Sequence, residues 1–370
     1  MRIGLVYLGR HGPGGPISFE LASHLAKKAD LFAVVSKNAD HIGNWRESGI
    51  DLIEVSTFDT SVQALISCFN SVRLRAVAKQ IAGRQPDVVL YPMVHPWTPS
   101  LQRYLADVPH VTTVHDPAAH PGFIHRLSST WERISAQRAT RCVVLGRTFV
   151  DEMYSKGIPR EKIDVIPHAV FSFYDSFPTL ERNGVTSQSI LFFGRITPYK
   201  GLDVLIRAFR RSLERRPDLN LKIVGEGNIR PYRRLLEGLS NVTIVNRWVA
   251  DAEIPRIFQA ADIVIVPYVS ASQSGVIALA ANFGRPVIAT RVGAITEQIR
   301  DQETGILVQP GSAEDLASAI DGLLADKGLR ERIGAGLASE IRATSNWQLT
   351  SEAYLQSCRK AIVESSNRIR

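Results

Sequence analysis

An arginine and a lysine stand just past an apolar run in the stretch Phe192-Phe193-Gly194-Arg195-Ile196-Thr197-Pro198-Tyr199-Lys200-Gly201. Two fixed positive charges so placed suit a diphosphate. Residues 189–193 make an apolar run of strand length that stops at Gly194, and Leu202, Leu205, Ile206, Phe209 and Leu213 then recur at helical spacing. Arg195 and Lys200 therefore sit on a strand-to-helix loop, and open parallel sheets bind ligands at the carboxyl ends of their strands. A second anion-binding element follows later in the chain. There the apolar residues 262–269 run into Ser270-Ala271-Ser272-Gln273-Ser274-Gly275-Val276 and then into an apolar helix ending at Gly284. A helix that opens at Ser274 turns its unpaired N–H groups and the positive end of its dipole back toward the strand. A serine there is also a common helix cap, and both roles are compatible because a cap uses one donor.

Two further groups lie near the amino terminus. Residues 3–8 lead into Gly9-Arg10-His11-Gly12-Pro13-Gly14-Gly15-Pro16 and then a helix marked by Phe19, Leu21, Ala22, Leu25 and Ala26. Glycines permit positive φ and a close approach of backbone to ligand. This loop lacks the spaced glycine fingerprint of dinucleotide enzymes, and a tight turn explains it as well. All nine histidines fall in the first 168 residues, with His110, His115, His120 and His125 recurring every five positions. That spacing aligns side chains on neither a helix nor a strand, so no metal site is expected. Residues 111–114 read instead as a buried strand with His115 and Asp116 at its carboxyl end.

The elements that must position these groups alternate along the whole chain, strand then helix, which is the pattern of doubly wound parallel sheets. Strands are predicted over 3–8, 31–36, 51–55, 87–91, 111–115, 141–145 and 163–167, then over 189–193, 219–224, 242–245, 262–267, 286–289 and 306–308. Between the two sets, 178–188 is polar and contains Pro178 and Gly184, and reads as a linker. At 370 residues the chain exceeds the usual limit for one hydrophobic core, so two domains are expected. Leu316, Ala319, Ile320, Leu323 and Leu324 share one face of a covering helix.

The landmarks Phe193-Gly194-Arg195, Lys200-Gly201, Ile223-Val224-Gly225-Glu226-Gly227, Asp262 with Pro267, Gly284-Arg285-Pro286, Gly293 and Thr304-Gly305-Ile306-Leu307-Val308 form an ordered set. Their order and spacing resemble the retaining GT-B glycosyltransferases of family 4, the group 1 glycosyl transferases, over most of the chain. The resemblance implies an α/β fold of the GT-B type, two Rossmann-like doubly wound parallel-sheet domains facing across a cleft. It assigns 1–177 to an acceptor-side domain, 178–188 to the linker and 189–349 to the nucleotide-sugar-binding domain. A C-terminal helix of about 350–370 crosses back to complete the first domain. The implied activity is transfer of a sugar from a UDP- or GDP-sugar to a hydroxyl acceptor, a glycan or lipid-linked glycan of cell-surface polysaccharide synthesis. No cofactor and no metal are expected.

Under the resemblance Arg195, Lys200 and His115 are catalytic. The two cations neutralise the departing diphosphate, the histidine meets the donor sugar, and the amides near Ser274 supply preorganised donors. Gly14, Gly15, Gly194, Gly225, Arg247, Ser274, Gly275, Val276 and Glu297 form the donor-binding set, and Asp116 and His120 stand on the acceptor side. One departure matters. The family carries paired glutamates around the phosphate-binding helix, whereas an ungapped alignment on Gly284-Arg285-Pro286 places Ala271 and Leu279 there. No acidic residue lies between Asp262 and Glu297, so Glu297 is the nearest acid to take over the ribose. The departure leaves two alternatives open: a sugar-nucleotide 2-epimerase of the same fold, and a non-catalytic binding subunit derived from a transferase.

The net charge is +8, with 45% hydrophobic residues to fill two cores. Arg126, Arg133, Arg138, Arg141 and Arg147 form one basic cluster and Arg207, Arg210, Arg211, Arg215 and Arg216 another. Neither comes with a nucleic-acid-binding motif or interleaved aromatics, which excludes nucleic acid as a partner. Solvated helix faces account for the clusters, as does peripheral contact with an anionic membrane of the kind related enzymes use. Cys68, Cys142 and Cys358 form no disulfide or metal spacing, and no run approaches about 18 apolar residues. A cytoplasmic protein, at most peripheral on the membrane's cytoplasmic face, is expected.

Overall fold

Short runs of Val, Ile, Leu and Phe, apolar on both faces, are what a strand covered by helices on either side requires. The computed structural model describes residues 1–12, 14–58, 63, 66–68, 70–115, 117, 123–169, 188–270 and 273–369. In the first half such runs form β1 (Arg2–Tyr7), β2 (Asp30–Ser36), β3 (Asp51–Val55), β4 (Val88–Tyr91), β5 (His110–Val114), β6 (Arg141–Val144) and β7 (Ile163–Val165). In the second they form β8 (Ser189–Phe193), β9 (Asn220–Val224), β10 (Val242–Val245), β11 (Ile263–Val266), β12 (Val287–Thr290) and β13 (Ile306–Val308). Each lies within a residue or two of its predicted place.

The strands build two wholly parallel sheets, ordered β3-β2-β1-β4-β5-β6-β7 and β10-β9-β8-β11-β12-β13. The winding reverses between β1 and β4 in the first and between β8 and β11 in the second. At such a reversal the loops leaving the two strands part company, and the crevice they leave is where this architecture binds ligands. The loop carrying Arg195 and Lys200 leaves β8, and the loop leading to Ser274 leaves β11. Two segments far apart in sequence thus border one crevice.

The chain forms two compact units, Met1–Pro167 with Trp347–Arg370, and His168–Asn346. In the second unit the helix Leu202–Leu213 buries Leu202, Leu205, Ile206 and Phe209 against the sheet and packs on the helix Ala313–Ala325. Full burial of each such side chain stabilises by roughly 1.5–3 kcal/mol. The first unit centres on Phe32, Tyr91, Trp97 and Leu101. Its last helix, Trp347–Ile369, lies against β4, β5, β6 and the helix Gly14–Ala26. A polar cluster pins that helix. Arg141 pairs with Asp164 at 2.6 Å and Glu364 at 2.8 Å, and Ser357 and Lys360 donate to Asp164 at 2.8 and 2.9 Å. Burial raises the Asp164 carboxyl, but these hydrogen bonds outweigh it and hold the group below its ordinary value.

Asp116, His120 and the expected linker up to residue 187 lie outside the described residues. Among the described residues no helix is long and apolar enough to cross a membrane.

Candidate functional site

The β8 and β11 loops are stitched together around Lys200. Val269 donates its N–H to the Tyr199 carbonyl at 2.8 Å. Gly201 lies so close to Pro267 that a Cβ on it would stand 1.9 Å from the Pro267 carbonyl oxygen, and its φ is +66°. No other residue fits that position. With its backbone fixed in this way, Lys200 extends Nζ to the Tyr268 hydroxyl at 2.6 Å and rests 4.2 Å from the centroid of the same ring. The Tyr268 oxygen is 3.1 Å from Ser274 Oγ, and both residues are only 2% exposed. A Cβ on Gly194 would meet Lys200 Nζ at 3.3 Å and Val276 Cγ2 at 4.0 Å. Lys200, Gly194, Ser274 and Val276, all singled out from sequence, are thereby brought together.

Ser274 is the N-cap residue of the helix Gly275–Asn282, yet its hydroxyl makes no capping bond. Of the two compatible roles, the cap is not taken up: the hydroxyl faces Tyr268, so the N–H groups of Gly275 and Val276 are not spent on it. The serine backbone is clasped instead by Gln298, whose Oε1 accepts from the Ser274 N–H at 2.9 Å and whose Nε2 donates to the Ser274 carbonyl at 3.3 Å. Gln298 closes the short helix Ile295–Gln298 after β12, and Glu297 on the same turn is exposed. Leu279, at one of the family's glutamate positions, is buried in the helix. Arg195 is exposed, and neither it nor Lys200 has a carboxylate partner among the described residues. The Lys200 ammonium beside a helix start makes this end of the crevice electropositive.

The neighbouring β9 loop packs directly on this one. A Cβ on Gly225 would lie 2.0 Å from the Gly194 carbonyl oxygen, and Ile196 donates its N–H to the Glu226 carbonyl at 2.8 Å. Gly225 therefore serves the loop-on-loop contact that shapes the floor. Arg247, expected on the donor, is held elsewhere. Its guanidinium grips Glu253 through two bonds of 2.9 and 2.7 Å, which bring the Glu253 carboxyl down to about 2. An anionic ligand must displace Glu253 to use it.

In the first unit Gly14 and Gly15 are buried and open the helix Gly14–Ala26. The positive φ anticipated in their loop falls on Gly12, at +100°. Gly14 is required by packing, because a Cβ there would press on Met93 Cε at 3.1 Å, whereas Gly15 has ordinary clearance. His115 donates Nε2–H to the Pro92 carbonyl at 2.8 Å, tying the end of β5 to the end of β4. His95, on the loop after β4, stacks on Phe58 with ring centroids 5.2 Å apart, and burial holds it down to about 3 and uncharged. His110 and His115 lie at opposite ends of β5, which is why their five-residue spacing makes no cluster. Among the described residues no group of three or more His, Cys, Asp or Glu side chains converges.

The arginine cluster of the second unit is answered within the fold. Arg207 bonds Asp203, Arg210 the Leu235 carbonyl, Arg215 Asp321 and Arg216 Gln188, while Arg211 stands 4.0 Å from Glu314. In the first cluster Arg141 is spent on Asp164 and Arg138 on the Pro99 carbonyl.

The same architecture recurs in solved structures. HepE of Anabaena, crystallised with UDP and glucose, matches with a TM-score of 0.76 over 96% of this chain and 99% of that one, at 16% identity. A glycosyltransferase from Rickettsia africae ESF-5 matches with a TM-score of 0.75 over 98% of each chain, at 20% identity. These likenesses show the fold. Residues 19–171 match the family model for glycosyltransferase family 4, and residues 187–326 match that for glycosyl transferases group 1. The chain belongs to the GT-B glycosyltransferases of the family 4 type. D-inositol 3-phosphate glycosyltransferase of Paenarthrobacter aurescens is 35% identical over 239 residues, which are 60% of this chain and 58% of that relative. The chain thus spans a little over half the length of the relative.

Sequence reasoning missed Tyr268 and Gln298 in this chain. Tyr268 follows Pro267 where a buried run meets its loop, and an aromatic there reads as core. Gln298 sits beside the acid that drew attention. Only the strand order, with β8 beside β11 and β11 beside β12, brings both side chains to the helix start.

Proposed function

We propose that this glycosyltransferase moves a sugar from a UDP- or GDP-sugar to a hydroxyl of a glycan or lipid-linked glycan, with retention at the anomeric carbon. The observation that carries the reading is the Lys200 ammonium, held at the switch point by the Tyr268 phenol, with no carboxylate partner among the described residues and a helix start beside it. As the bond from anomeric carbon to phosphate oxygen breaks, charge grows on the diphosphate. In this reading Lys200, Arg195 and the N–H groups of Gly275 and Val276 meet that charge, which lowers the barrier. Attack of the acceptor oxygen on the face the diphosphate leaves retains configuration, and the departing phosphate oxygen takes the acceptor's proton. HepE was crystallised with UDP, so uridine donors are the first to try. Relatives named for D-inositol 3-phosphate make phosphorylated polyols sensible first acceptors.

The test is calorimetric titration with UDP, GDP, ADP and CMP, followed by turnover of the corresponding UDP- or GDP-sugar. Lys200→Ala should lower turnover by about a hundredfold or more, the usual loss for one transition-state charge donor. A folded Lys200→Ala with near wild-type transfer would falsify the reading.

A further inference from the structure

A lysine ammonium is a point charge on a flexible stem, and it needs an anchor to stay aimed. A carboxylate anchor would compete with an anionic substrate for the same charge. Here the anchor is Tyr268, neutral, 2% exposed, with its oxygen 2.6 Å from Lys200 Nζ and its ring beneath the ammonium at 4.2 Å. The direction of each hydrogen bond follows from the groups themselves. An ammonium donates only, so the phenol oxygen accepts from Lys200. The described partners of that oxygen are Lys200 and Ser274, so the phenol proton goes to Ser274 Oγ at 3.1 Å. The serine proton is then unspent among the described residues, beside the N–H groups of Gly275 and Val276. Gln298 holds the serine backbone still, at 2.9 Å from its N–H. The chain of bonds therefore leaves the Ser274 O–H as a donor beside the helix start.

We propose that Tyr268 is the positioning residue of the diphosphate site. Its oxygen fixes the Lys200 ammonium over the helix start and its proton orients Ser274, so that the site offers only N–H and O–H donors and selects a fully ionised diphosphate. This rests on the reading of the site given under Proposed function. Tyr268 acts through Lys200 and Ser274, not by touching the reacting atoms.

Tyr268→Phe removes the hydroxyl and keeps the ring. It should weaken UDP or GDP binding and lower donor turnover by about tenfold or more, the usual effect of a hydrogen bond to a charged group, with an unchanged melting temperature. In a Lys200→Ala background the same change should cost only about threefold, the part that runs through Ser274, because the part that runs through Lys200 is already lost. Equal tenfold losses in both backgrounds, or wild-type binding and turnover in Tyr268→Phe, overturn the proposal. Lys200→Ala separates the two levels. If Lys200→Ala loses activity while Tyr268→Phe does not, the positioning role alone fails; if Lys200→Ala keeps activity, the diphosphate site itself fails. Should Tyr268→Phe melt well below wild type, Ser274→Ala carries the test. A loss of nucleotide affinity of about threefold or more is expected of it, and unchanged affinity overturns the proposal.

Discussion

Replacing Gly201 by alanine should displace Lys200 without altering its side chain. The added Cβ would stand 1.9 Å from the Pro267 carbonyl oxygen, where real Cβ contacts keep at least 3.0 Å. The β8 and β11 loops must therefore part by about 1 Å. The Lys200–Tyr268 bond, 2.6 Å long, then stretches past hydrogen-bonding range. The residue must also hold a φ of +66° with a side chain, which together with the displaced loop costs about 2 kcal/mol of folding free energy. Catalysis should suffer more than folding, since a 1 Å misplacement of a reacting group costs about a hundredfold. Gly238→Ala is the control. Gly238 has a φ of +74° and nothing within 4 Å of the point where a methyl group would stand, so it carries the backbone strain, about 1 kcal/mol, without the clash. Thermal melts and donor turnover of both variants decide the matter. If Gly201→Ala melts and turns over like Gly238→Ala, the close approach of the two loops does not set the position of Lys200.

Two other outcomes are expected. Asp164→Ala leaves the buried Arg141 guanidinium with the Glu161 carbonyl and with Glu364 as its one carboxylate among the described residues and should cost about 3 kcal/mol; the loss should appear as faster amide exchange in Trp347–Ile369, and unchanged protection there would show that the polar cluster does not pin the helix. Burial holds His110 down to about 4 from an ordinary 6.5. Between those values the unfolded chain binds a proton that the folded chain refuses, so stability is full above pH 6.5 and falls as pH drops, by about 1.4 kcal/mol per pH unit. His110→Gln should fall less steeply across that window, and parallel curves would count against the assignment.

The central strands were legible because helices cover both faces of each sheet, which calls for short apolar runs such as Ile263–Val266. The two loops that carry Lys200 and Ser274 were legible for a related reason: residues directly after such a run lie at the carboxyl edge of the sheet. What joins the loops was not. The Lys200–Tyr268–Ser274 chain depends on β8 and β11 lying side by side, and adjacency of strands far apart in sequence leaves no local mark. The same holds for Gln298. Ser274 looked like a cap because serine usually is one, but a nearer phenol won its hydroxyl. Arg247 entered the donor set through the family resemblance alone, which carries no sign of its pairing with Glu253 a short way along the chain.

The return of Trp347–Ile369 to the first unit sets an order of events during synthesis. Residues 168–346 are made between the two segments of that unit. At translation rates of about 5–20 residues per second this imposes a wait of roughly 10–40 s. Throughout it, the surfaces of β4, β5 and β6 that will receive Tyr354, Leu355, Cys358 and Ala361 have no cover. The second unit is continuous and can fold as it emerges. The first must remain open until Trp347–Ile369 has been made, and over that interval residues 1–167 are the part of the nascent chain most in need of a chaperone.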